Sequence, residues 1–219
     1  GRDVDVDPVA LLDEADQMFD MGFLPSIRQI LRRLPAKRQT MLFSATMPDD
    51  IVRIASAHMK LPVRVEIALS GTPAERVTQE LFVVRKEDKI RLLDHLLSEY
   101  RGTVLVFSRT KHGAHKICRA IKAMGVAAAE IHSNKSLNQR RDALEGFKSG
   151  RYRVLVATDI AARGIAVVGI ELVVNFDIPE HAEDYVHRIG RTGRAGLAGR
   201  AITFATPDQR GHVRAIERL

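Results

Sequence analysis

Cysteine is nearly absent from this sequence of 219 residues, since Cys118 is the only one. A single cysteine excludes an internal disulfide and is typical of proteins in a reducing compartment. Long hydrophobic runs are also missing, and the first residues, GRDVDVDP, are charged and unlike a signal peptide. These absences predict a cytoplasmic protein with no membrane partner. Because the chain opens on Gly1 rather than Met, we also expect it to be a fragment.

Tryptophan is absent, and only eight Phe and three Tyr residues occur. Most of these rings lie in apolar runs, so the aromatic platforms on which many single-strand binders stack bases are not evident. Lys and Arg nevertheless outnumber Asp and Glu by 34 to 27, which gives a formal net charge of +7 and favours acidic partners such as nucleic acid. A nucleic acid is therefore expected to bind through its phosphates and sugars, with weak sequence preference and strong salt dependence.

The hydrophobic pattern predicts alternating strands and helices. Continuous apolar strands are covered on both faces, as in a parallel sheet flanked by helices, so we predict an α/β fold. The helical pattern is clearest at 111–124, where an apolar stripe precedes Gly125. Gly, Pro and small polar residues at 68–79 predict a linker. The predicted strands are 8–12, 40–43, 63–67, 104–107, 126–131, 154–156, 172–176 and 201–205.

Three arginines recur at every third position in the stretch HRIGRTGRAG, which spans 187–196. They are Arg188, Arg191 and Arg194, and glycines stand where a side chain would crowd the backbone. A guanidinium donates two hydrogen bonds to phosphate oxygens, so three of them pointing one way predict a site for a polyanion or a transferring phosphoryl group. The alternative is a basic turn that only faces solvent.

Carboxylates end an apolar strand in the sequence LLDEAD at 11–16. Ligands of open α/β sheets bind at the carboxyl ends of the strands. Asp13 and Glu14 point in different directions where the strand ends, so one can hold Mg²⁺ through its water shell while the other orients an attacking water. Alternatively, these acidic residues only cap the helix that follows.

The sequence SLNQRRDALEGF predicts a helix that begins with a capping box of Ser136 and Gln139. Its apolar residues, Leu137 among them, are expected to face the core, which leaves Arg140 and Arg141 outward. Charged residues on a helix usually belong to a solvated face, and that interpretation of these arginines stays open.

Five motifs, in this order and at these separations, resemble the DEAD-box family of ATP-dependent RNA helicases. The resemblance covers nearly the whole chain after about residue 8. It implies two RecA-like domains that sandwich ATP and Mg²⁺ and grip a single RNA strand. Residues 1–67 then resemble the last part of the first domain, and 80–219 a complete second domain. The motifs are LLDEAD at 11–16, SAT at 44–46, VLVFSRT at 104–110, TDIAARG at 158–164 and HRIGRTGRAG at 187–196.

The resemblance also implies roles for single residues. Asp13 resembles the residue that holds Mg²⁺ through water, and Glu14 the one that activates the hydrolytic water. Arg191 and Arg194 resemble the arginines that reach the γ-phosphate of ATP. The residues that resemble the family's coupling relay are Asp16, Ser44, Thr46 and His187. Those that resemble parts of its RNA-facing surface are Ser108, Arg109, Thr110, Arg140, Thr158 and Gly164.

The sequence departs from the family at three points. It contains no Gly-Lys dipeptide, so the loop GxxxxGK[ST] that cradles a triphosphate is absent. Ala166 stands where the family usually has an aspartate that reaches the ribose, and a methyl group accepts no hydrogen bond. Leu137 stands where the family commonly has glutamine.

We therefore expect a fragment of an RNA helicase that couples ATP hydrolysis to RNA strand separation or to remodelling of RNA–protein complexes. Its ligand is single-stranded or short duplex RNA, and we expect a monomer. Alone, this chain is expected to be inactive as an ATP hydrolase. One alternative is a shortened, catalytically inactive RNA-binding module. Another, a helicase relative that acts on DNA, is disfavoured by the DEAD tetrad.

Overall fold

The structure, a computed structural model, describes residues 8–20, 22–44, 47, 49–65, 77–162, 165, 167–194 and 196–218. The chain divides into two compact units, Gly1–Ala68 and Leu69–Leu219. Each unit contains a parallel β-sheet with α-helices, which confirms the predicted fold class. Within the described residues, no helix has both the length and the apolar character that a membrane span requires.

The first unit contains a two-stranded parallel sheet, in which β1 (Val9–Leu12) pairs along its length with β2 (Gln39–Leu42). Its small core brings together Ile27 and Leu31, one helical turn apart, and Ile54 from the last helix of the unit. The helices are α1 (Ala15–Asp20), α2 (Leu24–Arg33) and α3 (Asp49–His58).

The predicted strand at 63–67 is wrong where it can be compared. Residues 62–65 have no regular secondary structure, and Val63 and Val65 are exposed. The alternation of apolar and charged residues satisfied the sequence pattern for a strand. However, a strand also needs a neighbour to complete its hydrogen bonds, and β1 and β2 pair with each other instead.

The second unit contains a six-stranded parallel sheet with the strand order β3-β8-β7-β4-β6-β5. Short 3₁₀ turns at Lys86–Asp88 and Pro207–Gln209 precede two of its helices. The strands are β3 (Val77–Val83), β4 (Val104–Phe107), β5 (Ala128–Ile131), β6 (Val154–Ala157), β7 (Leu172–Asn175) and β8 (Gly199–Ala205). The helices are α4 (Lys89–Glu99), α5 (Lys111–Ala123), α6 (Leu137–Lys148), α7 (Asp159–Ala162), α8 (Ala182–Ile189) and α9 (Arg210–Ile216).

Both faces of this sheet are covered, as the continuous apolar strands predicted. Every residue of the central strands β4, β6 and β7 is buried. Successive residues of β4 alternate sides: Leu105 joins one hydrophobic cluster, and Val104 and Val106 join the other. Because all six strands are parallel, their carboxyl ends lie along one edge of the sheet, where polar residues of the following turns collect.

The predicted linker extends too far along the chain. Residues 77–79, which it included, belong to β3, and Val77 is buried beside Gly199 of β8. The sequence VTQE is polar at three of four positions because β3 is an edge strand, and such strands bury fewer residues than central ones. Positions 68–76 of the predicted linker lie outside the described residues.

Candidate functional site

The turn after β1 holds the two predicted catalytic carboxylates. Asp13 is exposed and Glu14 is half-buried, and the Glu14 amide donates a hydrogen bond of 2.9 Å to Asp13 Oδ1. Glu14 has a φ of 51°, in the left-handed region that residues other than glycine rarely adopt. Such strained backbone is often found at functional sites. Here it belongs to the turn that takes the chain from β1 into α1.

The same turn brings Asp16 and Ser44 together, although they are 28 residues apart in the sequence. Asp16 is buried, and its amide donates a hydrogen bond of 3.1 Å to Ser44 Oγ. The neighbouring Ala15 amide donates to the Phe43 carbonyl at 3.0 Å, because α1 starts beside the end of β2. Thr46, the third member of the predicted relay in this unit, lies outside the described residues.

The exposed carboxylate of Asp13 fits the expected binding of Mg²⁺ through water. Outer-sphere binding of this hard cation needs an accessible carboxylate oxygen rather than a cage of side chains. The described part of the chain contains no cluster of three or more His, Cys, Asp or Glu side chains suited to direct coordination of a metal. Binding of Mg²⁺ at this turn stays a prediction.

Arg188, the first arginine of the basic stretch, is fully buried and paired with a carboxylate. Its side chain is 1% exposed, and its Nε and Nη2 donate to both carboxylate oxygens of Asp159 at 2.5 and 2.8 Å. Its Nη1 donates to the Asp177 carbonyl at 2.6 Å. The prediction that three guanidiniums share one direction is therefore wrong, because Arg188 joins α8 to the turns after β6 and β7.

The other two arginines lie just beyond the end of α8. Arg191 is buried, and it donates to the carbonyls of Ile165 at 3.1 Å and His187 at 3.2 Å. Arg194 is half-buried and donates to the Gly190 carbonyl at 2.6 Å, so it is the more accessible of the two. The predicted relay residue His187 is also half-buried. Backbone carbonyls thus orient both guanidiniums that are predicted to meet phosphate.

The turn after β4 presents Arg109 and Thr110 to solvent but buries Ser108 completely. The Ser108 hydroxyl donates to Asp177 Oδ2 at 3.0 Å, and the Arg109 amide donates to the same oxygen at 3.1 Å. Thr110 caps α5, since its Oγ1 accepts a hydrogen bond from the Gly113 amide at 3.0 Å. The Ser108 side chain is predicted to face RNA, but in the structure it is buried and hydrogen-bonded to Asp177 within the turn.

Two more predicted RNA contacts lie near this turn. Thr158 is half-buried directly after β6, and its carbonyl accepts from the Ala162 amide at 2.9 Å. Arg140 is half-buried in the first turns of α6, the helix that follows β5. Because β4, β6 and β5 are neighbours, the turns after these three strands share one edge of the sheet. Gly164, the remaining predicted contact, lies outside the described residues, as does Ala166.

The start of α6 confirms one prediction and corrects another. Ser136 and Gln139 form the predicted capping box, with hydrogen bonds of 2.9 and 3.3 Å. Leu137 does not face the core, since it is 70% exposed. It occupies the first position of the helix, where the apolar stripe that includes Ala143 and Phe147 has not yet reached the sheet.

Lys89 supports the turn after β4 from within the protein, a role that no sequence pattern predicted. It is 4% exposed, and its Nζ donates to the Phe176 carbonyl at 2.7 Å and lies 3.6 Å from Asp177 Oδ1. Burial lowers the pKa of this ammonium group, although Asp177 acts in the opposite direction. One Asp177 oxygen thus faces Lys89, while the other holds Ser108 and Arg109.

Replacing Lys89 with methionine is expected to loosen this turn. The change leaves the Phe176 carbonyl and one side of the Asp177 carboxylate without their cation, which typically costs about 1–3 kcal/mol. Hydrogen exchange at the Arg109 amide should accelerate more than exchange in the buried strand β4. Lys86→Met is the matched control, because Lys86 is exposed one turn earlier and should change the free energy of unfolding by less than about 0.5 kcal/mol. Unchanged Arg109 exchange in Lys89→Met would contradict this role.

Comparison with protein families gives two matches along the chain. Residues 8–54 match the model described as DEAD/DEAH box helicase. Residues 88–196 match the model described as Helicase conserved C-terminal domain. The first match contains the carboxylate turn, and the second contains Arg109, Arg140 and Arg191.

Curated relatives cover nearly all of this chain. A DEAD-box ATP-dependent RNA helicase CshA from Geobacillus kaustophilus is 45% identical over 209 residues, which are 95% of this chain and 45% of that protein. An ATP-dependent RNA helicase RhlB from Pseudomonas syringae is 44% identical over 217 residues, which are 98% of this chain and 55% of that protein. The chain thus spans about half the length of the curated relatives it matches.

Solved structures share the fold. S. cerevisiae Dbp5 bound to RNA and ADP BeF3 is 29% identical with a TM-score of 0.87, and the match covers 96% of this chain and 56% of that one. The E. coli DEAD-box protein SrmB, bound to regulator of ribonuclease activity A, is 32% identical with a TM-score of 0.61. That match covers 65% of this chain and 84% of the SrmB chain. These similarities support the expected RecA-like architecture.

Proposed function

Because the chain belongs to the DEAD-box helicase family, we propose that it forms part of an ATP-dependent RNA helicase and that its second unit binds the RNA backbone. Intact proteins of this kind couple ATP hydrolysis to local strand separation or to remodelling of RNA–protein complexes. The family assignment rests on the comparisons. The assignment of RNA binding to this unit rests on its own surface chemistry.

One observation carries the RNA-binding proposal: the turns after β4, β5 and β6 lie side by side at the carboxyl edge of the sheet. They present Arg109, Thr110, Arg140 and Thr158 near the amino ends of α5 and α6. Helix amino ends carry partial positive charge and unpaired amides, which favour phosphate. Phosphate contacts position a strand without reading its bases, so we expect little sequence preference.

ATP and Mg²⁺ are proposed as the ligands of the carboxylate turn in the first unit, and a phosphate group is proposed as the ligand of the arginines after α8 in the second. When bound, ATP supplies the phosphoryl group that is transferred to water. Asp13 would hold the hydrated metal, and Glu14 would accept a proton from the attacking water. Arg191 and Arg194 stabilise negative charge on the phosphoryl oxygens, and an arginine in this role typically increases the rate by about 10³ to 10⁵.

A second candidate function is RNA binding without turnover. This candidate concerns the 219 residues by themselves, which contain no Gly-Lys dipeptide of the kind found in the loop that cradles the β- and γ-phosphates in P-loop enzymes. Both functions share the RNA surface of the second unit. They differ in whether the chain hydrolyses ATP.

Arg140→Ala tests the RNA surface directly. Loss of one phosphate contact should weaken binding to single-stranded RNA and reduce the slope of log K against log salt concentration by about 0.7. The measurement is fluorescence anisotropy of a labelled oligonucleotide across a salt series. Arg141→Ala is the matched control, because it removes the same charge from an exposed position one residue away.

The two variants separate a contact from a general charge effect. Arg141→Ala should leave the salt slope unchanged. An unchanged slope in Arg140→Ala would show that Arg140 belongs to a solvated helix face and does not contact RNA. Equal losses in both variants would show that only net charge matters.

A further inference from the structure

The exposed face of α5 carries an unusual concentration of positive charge. The helix has the sequence KHGAHKICRAIKA, with no acidic residue in 13 positions. Its buried face consists of Ala114, Ile117, Cys118 and Ile121, so the remaining positions form a continuous basic stripe. The exposed basic residues are His112, His115, Lys116, Arg119 and Lys122.

Contacts within the protein do not account for this stripe. In the described part of the chain, no carboxylate forms an ion pair with Lys116, Arg119 or Lys122. By comparison, two other helices of the unit have cations paired with a nearby carboxylate. Lys148 pairs with Glu145 on α6, and Arg91 of α4 pairs with Asp88.

The stripe also works against the stability of its own helix. Like charges three or four residues apart, as in Lys116, Arg119 and Lys122, destabilise a helix by about 0.2–0.5 kcal/mol per pair. Lys111 lies in the first turn, where the macrodipole disfavours a cation. An external anion would offset both costs.

A polar pocket of about 290 Å³ lies at the amino end of this stripe. One of its lining residues, His132, is only 5% exposed, and neither ring nitrogen has a hydrogen-bond partner. His132 Nε2 lies 3.6 Å from Glu130 Oε2, which is too far for a hydrogen bond. The residues that line the pocket are Lys111, His112, His115, Glu130, His132, Asn134, Lys135 and Gln139.

Basic side chains of the protein itself already neutralise the carboxylate in this pocket. Glu130 Oε1 lies 2.6 Å from Lys135 Nζ and 3.0 Å from His115 Nδ1. Burial by itself raises the pKa of Glu130, but these two partners outweigh that effect and lower it. The acid therefore stays charged and paired, and the unsatisfied group that remains is the buried imidazole of His132.

We propose that the basic stripe of α5 and this pocket form a second anion-binding surface, which binds the phosphodiester backbone of RNA that flanks the strand held at Arg109 and Arg140. The inference rests on the proposed RNA binding of this unit. The position of the stripe next to the proposed RNA contacts supports the inference, since α5 begins immediately after Thr110. From His112 to Lys122 the stripe is about 15 Å long, at 1.5 Å of rise per residue. That length accommodates several successive phosphates.

The test compares a short and a long oligouridine on the 219-residue chain. Lengths of about 6 and 20 nucleotides bracket the roughly 4–16 nucleotides that single-strand-binding folds occupy. The variant carries Lys116→Gln, Arg119→Gln and Lys122→Gln, all at exposed positions. The matched control carries Arg210→Gln, Arg214→Gln and Arg218→Gln, which remove the same charge from exposed positions in and just after α9, a helix that follows β8 rather than β4.

For the long oligouridine, loss of three cations should reduce the salt slope by about 2 and weaken binding by roughly tenfold or more at low salt. Binding of the short one should not change, and the control should bind both like the wild type. A pocket variant, His132→Gln, should weaken only the long oligouridine while keeping the wild-type melting temperature.

Three results would overturn the inference. In the first, the α5 variant and the control bind the long oligouridine equally well. In the second, the α5 variant weakens short and long oligouridine alike, which would place the stripe within the first contact region. In the third, polyglutamate competes with the long oligouridine as well as unlabelled RNA does, which would assign the surface to an acidic protein. Failure of the wild type to bind the short oligouridine would instead contradict the proposed function itself.

Discussion

Replacing Arg188 with alanine is expected to destabilise the second unit by about 3 kcal/mol or more, the cost of breaking a buried ion pair from one side. The guanidinium is fully buried and bridges the Asp159 carboxylate to the Asp177 carbonyl. It also lies 5.1 Å from the centroid of the Phe107 ring, which adds a cation–π contact. The free energy of unfolding, measured by urea denaturation, should fall by this amount.

Two controls make the Arg188 result interpretable. Arg188→Lys keeps the charge but loses the two-donor fork, so it should recover only part of the stability. Arg141→Ala removes an exposed arginine and should change the free energy of unfolding by less than about 0.5 kcal/mol. If Arg188→Ala is no more destabilising than Arg141→Ala, the network around Asp159 does not hold the unit together.

The second prediction with a large expected effect is that this chain alone shows no RNA-stimulated ATP hydrolysis. Asp13, Glu14, Arg191 and Arg194 are present, but the sequence has no GxxxxGK[ST] loop to bind the β- and γ-phosphates. Without that anchor, the nucleotide is not positioned, and positioning together with charge stabilisation provides most of the catalysis in phosphoryl transfer. Phosphate release in the presence of saturating single-stranded RNA should match the protein-free background.

An intact DEAD-box helicase assayed in parallel provides the reference rate. Turnover by this chain comparable with that reference would contradict the prediction. It would also argue against RNA binding without turnover.

The sequence predicted the sheet of the second unit well where strands are central. Continuous runs such as Val104–Phe107 are buried on both faces, and few other structures accommodate four consecutive apolar residues next to turn signals. Edge strands escape this rule. In β3, polar residues such as Gln79 are exposed, so its pattern resembled a linker, and residues 63–65 showed an alternating pattern without forming a strand.

The sequence predicted which functional residues take part, but it did not predict where their side chains point. Motif spacing identified Arg188, Arg191 and Arg194 together, yet the first is buried in an ion pair and the other two are held by backbone carbonyls. Asp159 and Asp177 determine the orientation of Arg188. Their proximity to α8 arises from the order of β6 and β7 in the sheet. Lys89 was missed for the same reason, because a lysine at a helix start is usually exposed and only the fold brings Asp177 to it.

The central claim is that the second unit binds the RNA backbone by its phosphates, and salt titration of RNA binding to the wild-type chain tests it most directly. Two labelled single-stranded RNAs of equal length and unrelated sequence are compared by anisotropy. If phosphates carry the binding, the two RNAs should show similar affinities and equal, strongly negative linear slopes of log K against log salt concentration. No binding at low salt, or binding that depends on sequence and is insensitive to salt, would contradict it.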